Sequence, residues 1–156
     1  MEFASLTVKK MHILRIDPGE DVLDAVKRFL KEANVKQAVM TAGYGTLAKY
    51  HLHWVASNRL PIERRYGRGE GGIEVLALNG IVVDGEPHLH VALGTPEGAF
   101  GGHLEPGCIV YALFEAFFAE VEGVTLSHPR VHGVIEGIGE GDFTRLLFNR
   151  NTPPPL

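Results

Sequence analysis

The sequence predicts an α+β domain, a mainly antiparallel sheet with one amphipathic helix near the N-terminus. Only Val22 to Ala33 spaces its apolar residues at helical intervals. After it the apolar residues recur with a period of two between glycine-rich turns. One helix followed by a run of strands argues against alternating βα units and their parallel sheet. With 156 residues, 45% of them hydrophobic, the chain can bury one core, and no linker, repeat or low-complexity stretch divides it.

Residues 1–10 read as an N-terminal segment, 11–150 as the domain and 151–156 as a proline-rich tail. Met11 to Ile16 alternates and stops at D-P-G-E, where Asp17 is expected to cap the helix, Pro18 suits its first position and Glu20 completes a capping box. The stripe Val22, Leu23, Val26, Phe29, Leu30 and Ala33 faces inward, and Asn34 ends it. Strands follow in K-Q-A-V-M-T-A-G-Y-G, L-A-K-Y-H-L-H-W-V, L-P-I-E-R-R-Y, I-E-V-L-A-L-N-G-I-V-V and H-L-H-V-A-L. Ile109 to Val121 is long enough for a buried helix, but its aromatic and β-branched content makes it a long strand. A glycine-rich turn region and a final strand close the domain.

The net charge of −4 is opposite to the basic footprint of most nucleic-acid binders. Arg64 and Arg65 beside Tyr66 form a basic cluster that a solvated edge strand explains. The glycines at 43 and 45 lack the pattern of a phosphate loop. Cys108, in G-C-I-V-Y, reads as a reduced core thiol. The charged N-terminus does not read as a signal peptide, and no stretch approaches the roughly 18 apolar residues of a membrane helix. A soluble, cytoplasmic protein with no membrane partner is the expectation.

Chemistry concentrates in E-P-H-L-H-V-A-L-G-T-P-E-G-A-F-G-G-H-L-E, residues 86 to 105. His88 and His90 are two apart and share a strand face. T-P-E-G suits a type I turn, and if Gly94 and Ala99 close that loop, His90 falls opposite His103. The same register puts Glu105 across from His88, unless Gly101-Gly102 forms a bulge. Three neutral imidazoles converging from a rigid sheet suit Zn²⁺ or a similar divalent ion, with Glu105 as an outer-shell or fourth-ligand candidate. His51 and His53 also share a face and could complete a site, whereas His128 and His132 flank a turn and are expected to face solvent.

The blocks R-I-D-P-G-E-D-V, A-V-M-T-A-G-Y-G-T-L, G-I-E-V-L-A-L-N-G, E-P-H-L-H-V-A-L and G-G-H-L-E-P-G-C-I-V-Y-A resemble, in this order over roughly residues 11 to 125, the PPC domain of plants and prokaryotes. The resemblance implies an α+β fold, a homotrimer and, as in some prokaryotic members, a bound metal, with the family's H-x-H and G-G-H falling on His88, His90 and His103. Plant members carry a basic AT-hook ahead of the domain; Y-G-R-G-E-G-G at 66 to 72 does not match it. Their G-R-F-E-I-L partner-contact block is G-G-I-E-V-L here, which loses the arginine but keeps Glu74 and makes it a candidate. The short histidine stretch also resembles, distantly, the zinc site of acetolactate decarboxylases. A zinc-dependent lyase on a small keto or hydroxy acid would need Glu74, Glu105 or an arginine such as Arg15 beside the ion.

These readings converge on a homotrimer that binds a divalent metal, zinc by donor type, through three histidines, with Phe114, Phe117 and Phe118 available for an inter-subunit core. A DNA-associated or protein-interaction module with structural histidines is the alternative, and a small-molecule ligand or protein partner is open to either.

Overall fold

The computed structural model describes residues 1–149, so the proline-rich tail lies outside the described residues. Strand β1 (Thr7–Ile16) leads into α1 (Val22–Glu32), followed by β2 (Ala38–Val55), β3 (Arg64–Val83), β4 (Glu86–Thr95), β5 (Gly98–Leu104) and β6 (Ile109–Glu122). These six strands form one sheet in the order β1-β6-β2-β3-β4-β5, every pairing antiparallel. A further pairing of β2 with β5 bends the β2 to β5 part of the sheet back on itself.

The helix begins later than its sequence suggests. Gly19 sits at φ 86°, so D-P-G-E forms a turn in which Glu20 N–H donates to the Asp17 carbonyl at 3.2 Å. The Glu20 carboxylate still accepts from Asp17 N–H at 2.9 Å, but the N-cap is Asp21, whose carboxylate accepts from Leu23 and Asp24 N–H. The cause is the start of β6. Gly19 and Val22 donate to the Val110 and Cys108 carbonyls, and Val110 N–H donates to the Glu20 carbonyl, which keeps Glu20 and Asp21 out of the helix. At the other end Asn34 adopts φ 52°, and Val35 and Asn34 N–H close on the Leu30 and Lys31 carbonyls in a Schellman arrangement.

The helix buries Val22, Leu23, Ala25, Val26 and Leu30 in a core that includes Leu47, Leu52, Leu78, Leu93, Phe114 and Phe118. Phe114 and Phe118 are fully buried within the chain and have no surface to offer a second copy. Strand alternation instead turns Tyr111 and Leu113 of β6 outward.

Four segments that read as separate strands are two long ones. In β2 the register against β6 shifts near Met40, Gly45 and Leu47, and these bulges let one strand pair with β6 at one end and with β5 at the other. Gly45 permits the close approach, since a Cβ there would strike the Leu113 carbonyl. The C-terminal part holds two small sheets, β7 (Thr125–Ser127) with β10 (Leu147–Asn149) and the hairpin β8 (Arg130–Ile135) to β9 (Gly139–Thr144). Among the described residues no helix is long and apolar enough to cross a membrane.

Candidate metal centre

The β4–β5 hairpin closes through Gly94 opposite Ala99 and runs without a register shift to His90 opposite His103. Gly101 and Gly102 form no bulge. They keep the strands close, because a Cβ on Gly101 would strike the Val91 carbonyl and one on Gly102 would crowd the His53 carbonyl and Trp54. Trp54 Nε1–H donates to the Gly101 carbonyl and ties β5 to β2.

His88, His90 and His103 each bring a ligand nitrogen within 4.8 Å of the others. The Nε2 atoms of His88 and His90 are 3.2 Å apart. That matches the about 3.3 Å between two nitrogens of a tetrahedral ion with Zn–N bonds of about 2.0–2.1 Å. The rings of His88 and His90 lie 4.6 and 5.2 Å from that of His103. Burial pushes all three imidazoles below their ordinary pKa, and neighbouring histidines push them further, His103 down to about 4. At neutral pH each is therefore uncharged and keeps a lone pair for a cation. The donor set is nitrogen-rich and half-exposed, and it fits a borderline divalent ion better than magnesium or calcium.

Glu105 does not face His88. The β4–β5 pairing ends at His103, and the β2–β5 pairing, with His53 opposite His103, carries the chain past β4 onto β2. The Glu105 carboxylate meets His53 Nδ1 at 2.5 Å, both half-buried. A carboxylate can only accept, so His53 Nδ1–H donates to it, and the bond fixes the orientation of the ring. The ring of His53 stands 4.3 Å from that of His103, and His53, His103 and Glu105 form a second group that could hold an ion. His53 is thus the site residue that sequence periodicity brought to notice but could not place.

The other candidates separate. Glu74 is exposed and pairs with Gly94, four residues along β4 from His90 and roughly 13 Å away at about 3.3 Å per residue. His51 Nδ1 contacts the Pro106 carbonyl at 2.7 Å. Cys108 is fully buried against the His51 backbone, and burial pushes its thiol up to about 11, so it is no thiolate ligand. His128 is half-buried rather than solvent-facing, its ring 6.2 Å from His88. His132 lies apart, on the β8–β9 hairpin.

A sheet-dominated α+β domain with a histidine cluster across its β4–β5 hairpin defines the class. The chain belongs to the Plants and Prokaryotes Conserved (PCC) domain family, whose model matches residues 4–122. It is similar in structure to a plant- and prokaryote-conserved protein of Pyrococcus horikoshii, with 28% identity, a TM-score of 0.69, and coverage of 90% of this chain and 96% of that one. A metal-containing protein of Archaeoglobus fulgidus shares the fold at 23% identity and a TM-score of 0.70, again over 90% and 96% of the two chains. Among curated proteins the chain is 29% identical over 114 residues to the bifunctional protein GlmU of Synechococcus sp. strain JA-3-3Ab. The match covers 71% of this chain but spans only 17% of that relative's length.

Proposed function

We propose that this protein binds a divalent metal, zinc by its donor chemistry, through His88, His90 and His103, and that it does so as a cytoplasmic homotrimer. The carrying observation is the 3.2 Å approach of two neutral imidazole nitrogens with a third inside 4.8 Å. Three neutral imidazoles this close offer more lone pairs than the single hydrogen bond between His88 and His90 can use, and a divalent ion would take them. His53, oriented by Glu105, stands beside His103 as the supporting residue of the centre. That the fold hosts a metal in the Archaeoglobus protein agrees with this reading.

The trimer is supported by apolar surface. Met11 and Ile13 on β1, Tyr111 and Leu113 on β6, Tyr44 on β2 and Leu76 on β3 are all exposed and would be covered by neighbouring copies. The net charge of −4 weighs against DNA as the partner. Elemental analysis of the purified protein and of a His90→Ala, His103→Ala variant tests the metal reading. One zinc per chain in the wild type and none in the variant is expected; a folded wild type that stays metal-free when zinc is supplied refutes it.

A further inference from the structure

A row of cationic side chains borders the histidine centre, and metal binding does not use it. From Lys49 opposite Glu70 to Val55 opposite Arg64, β2 and β3 pair without a register shift, so residues two apart share a face. Tyr66 packs its ring against both His51 and His53, at 5.9 and 5.6 Å, which puts Arg64, Tyr66 and Arg68 on the histidine face. Glu70, two residues beyond Arg68 on that face, is taken by Lys49 at 3.0 Å. Neither Arg64 nor Arg68 makes an ion pair among the described residues. Two free guanidiniums therefore flank an aromatic ring, one strand from His53 and two strands, about 10 Å between backbones, from His103.

The chain beyond the family match borders the same region. Leu126 packs with Val83 and Ile81 at the β3–β4 turn, His128 stands beside His88, and the Ile138 carbonyl accepts from Leu60 N–H at 3.3 Å, just ahead of β3. This segment thus touches both the β3–β4 turn beside His88 and the chain just ahead of Arg64.

We infer that Arg64 and Arg68 form the anion-binding rim of a small-molecule site centred on the histidines, and that its ligand is a small organic dianion. One carboxylate is held by the guanidinium forks, whose planar donors match its two oxygens. The carbon chain crosses Tyr66, and the second anionic group reaches the histidine centre. The gap of two strands selects a ligand with two separated acidic groups over a simple monoacid. Two free arginines on an acidic chain are too few to track a polyphosphate backbone. The inference rests on the metal reading for the second anchor only; the rim belongs to the protein itself.

The test is calorimetric titration with succinate as probe, on metal-free and zinc-supplied protein, for the wild type, Arg64→Gln/Arg68→Gln and Arg64→Lys/Arg68→Lys. Zinc content is measured on each sample. Succinate is expected to bind the zinc-loaded wild type, at least 10-fold more weakly to the glutamine variant at unchanged zinc content, and to an intermediate degree to the lysine variant. Butyrate is expected to bind more weakly than succinate. Equal affinity in wild type and glutamine variant, or no succinate binding to zinc-loaded wild type, overturns the inference. So does a short single-stranded oligonucleotide that displaces succinate and loses affinity steeply with salt, which would assign the rim to nucleic acid. Arginine-dependent succinate binding by a protein that takes up no zinc would keep the rim and remove the metal reading.

Discussion

Two hairpins of this protein each carry histidine opposite a defined partner, and they put it to opposite use. On β4–β5, His90 faces His103 with His88 alongside, and burial among other imidazoles holds all three below their ordinary pKa. On β8–β9, His132 faces Asp142, and its two ring nitrogens meet Asp142 at 2.9 Å and Glu140 at 3.2 Å. Hydrogen bonds to those carboxylates raise its pKa. A protonated imidazole has no lone pair to give, whereas a neutral one kept from carboxylates does. What surrounds the ring, not the hairpin, makes the difference. Glu105, the carboxylate at the edge of the first cluster, bonds to His53, and its upward pull on His103 is outweighed by burial and the neighbouring imidazoles.

The strongest way to break the contrast is to remove donors from the first hairpin. His90→Ala with His103→Ala should weaken zinc binding by about a thousand-fold or more, because structural zinc sites spread roughly 10–16 kcal/mol over their ligands; competition against a chromogenic chelator reads it. Glu105→Ala leaves the three nitrogens but frees His53, and a loss of about 10-fold is expected, at the low end for an outer-shell partner. Chelation of the wild type should lower the melting temperature by roughly 5–10 °C, since zinc at about 100 times its dissociation constant adds about 2.7 kcal/mol; calorimetry with and without EDTA measures it.

Acid sharpens the contrast further. His103 is pushed down to about 4 in the fold and titrates near 6.5 in the unfolded chain. Between these values the unfolded state binds more protons, so this stability is complete above about pH 6.5 and is lost as pH falls towards 4. Urea midpoints of the metal-free wild type should therefore fall over that window and fall less in His103→Gln. The smallest effect belongs to the other hairpin. His132→Ala removes an exposed ion pair and should leave zinc affinity and melting temperature where they were, because such pairs contribute little.

The contrast also marks what the sequence could say. The register of β4 on β5 was legible because T-P-E-G closes a short loop and side chains alternate from it. The place of β6 as a long strand was legible from its aromatic and β-branched content. His53 beside His103 was not, since β2 meets β5 across about fifty residues of chain and only closure of the sheet brings them together. The same closure, absent from any local pattern, carried Glu105 away from His88. Asp21 displaced Asp17 as the cap because backbone pairing with β6 competed with helix for residues 19–21. Local periodicity reads single hairpins well and long-range pairings poorly.

X-ray absorption at the zinc edge, on protein loaded with one equivalent, addresses the three-imidazole centre most directly. At least three nitrogen neighbours at about 2.0–2.1 Å, with the multiple scattering of imidazole and no sulfur, are the expected result. A shell containing sulfur, or one built of oxygen without imidazole, would contradict it.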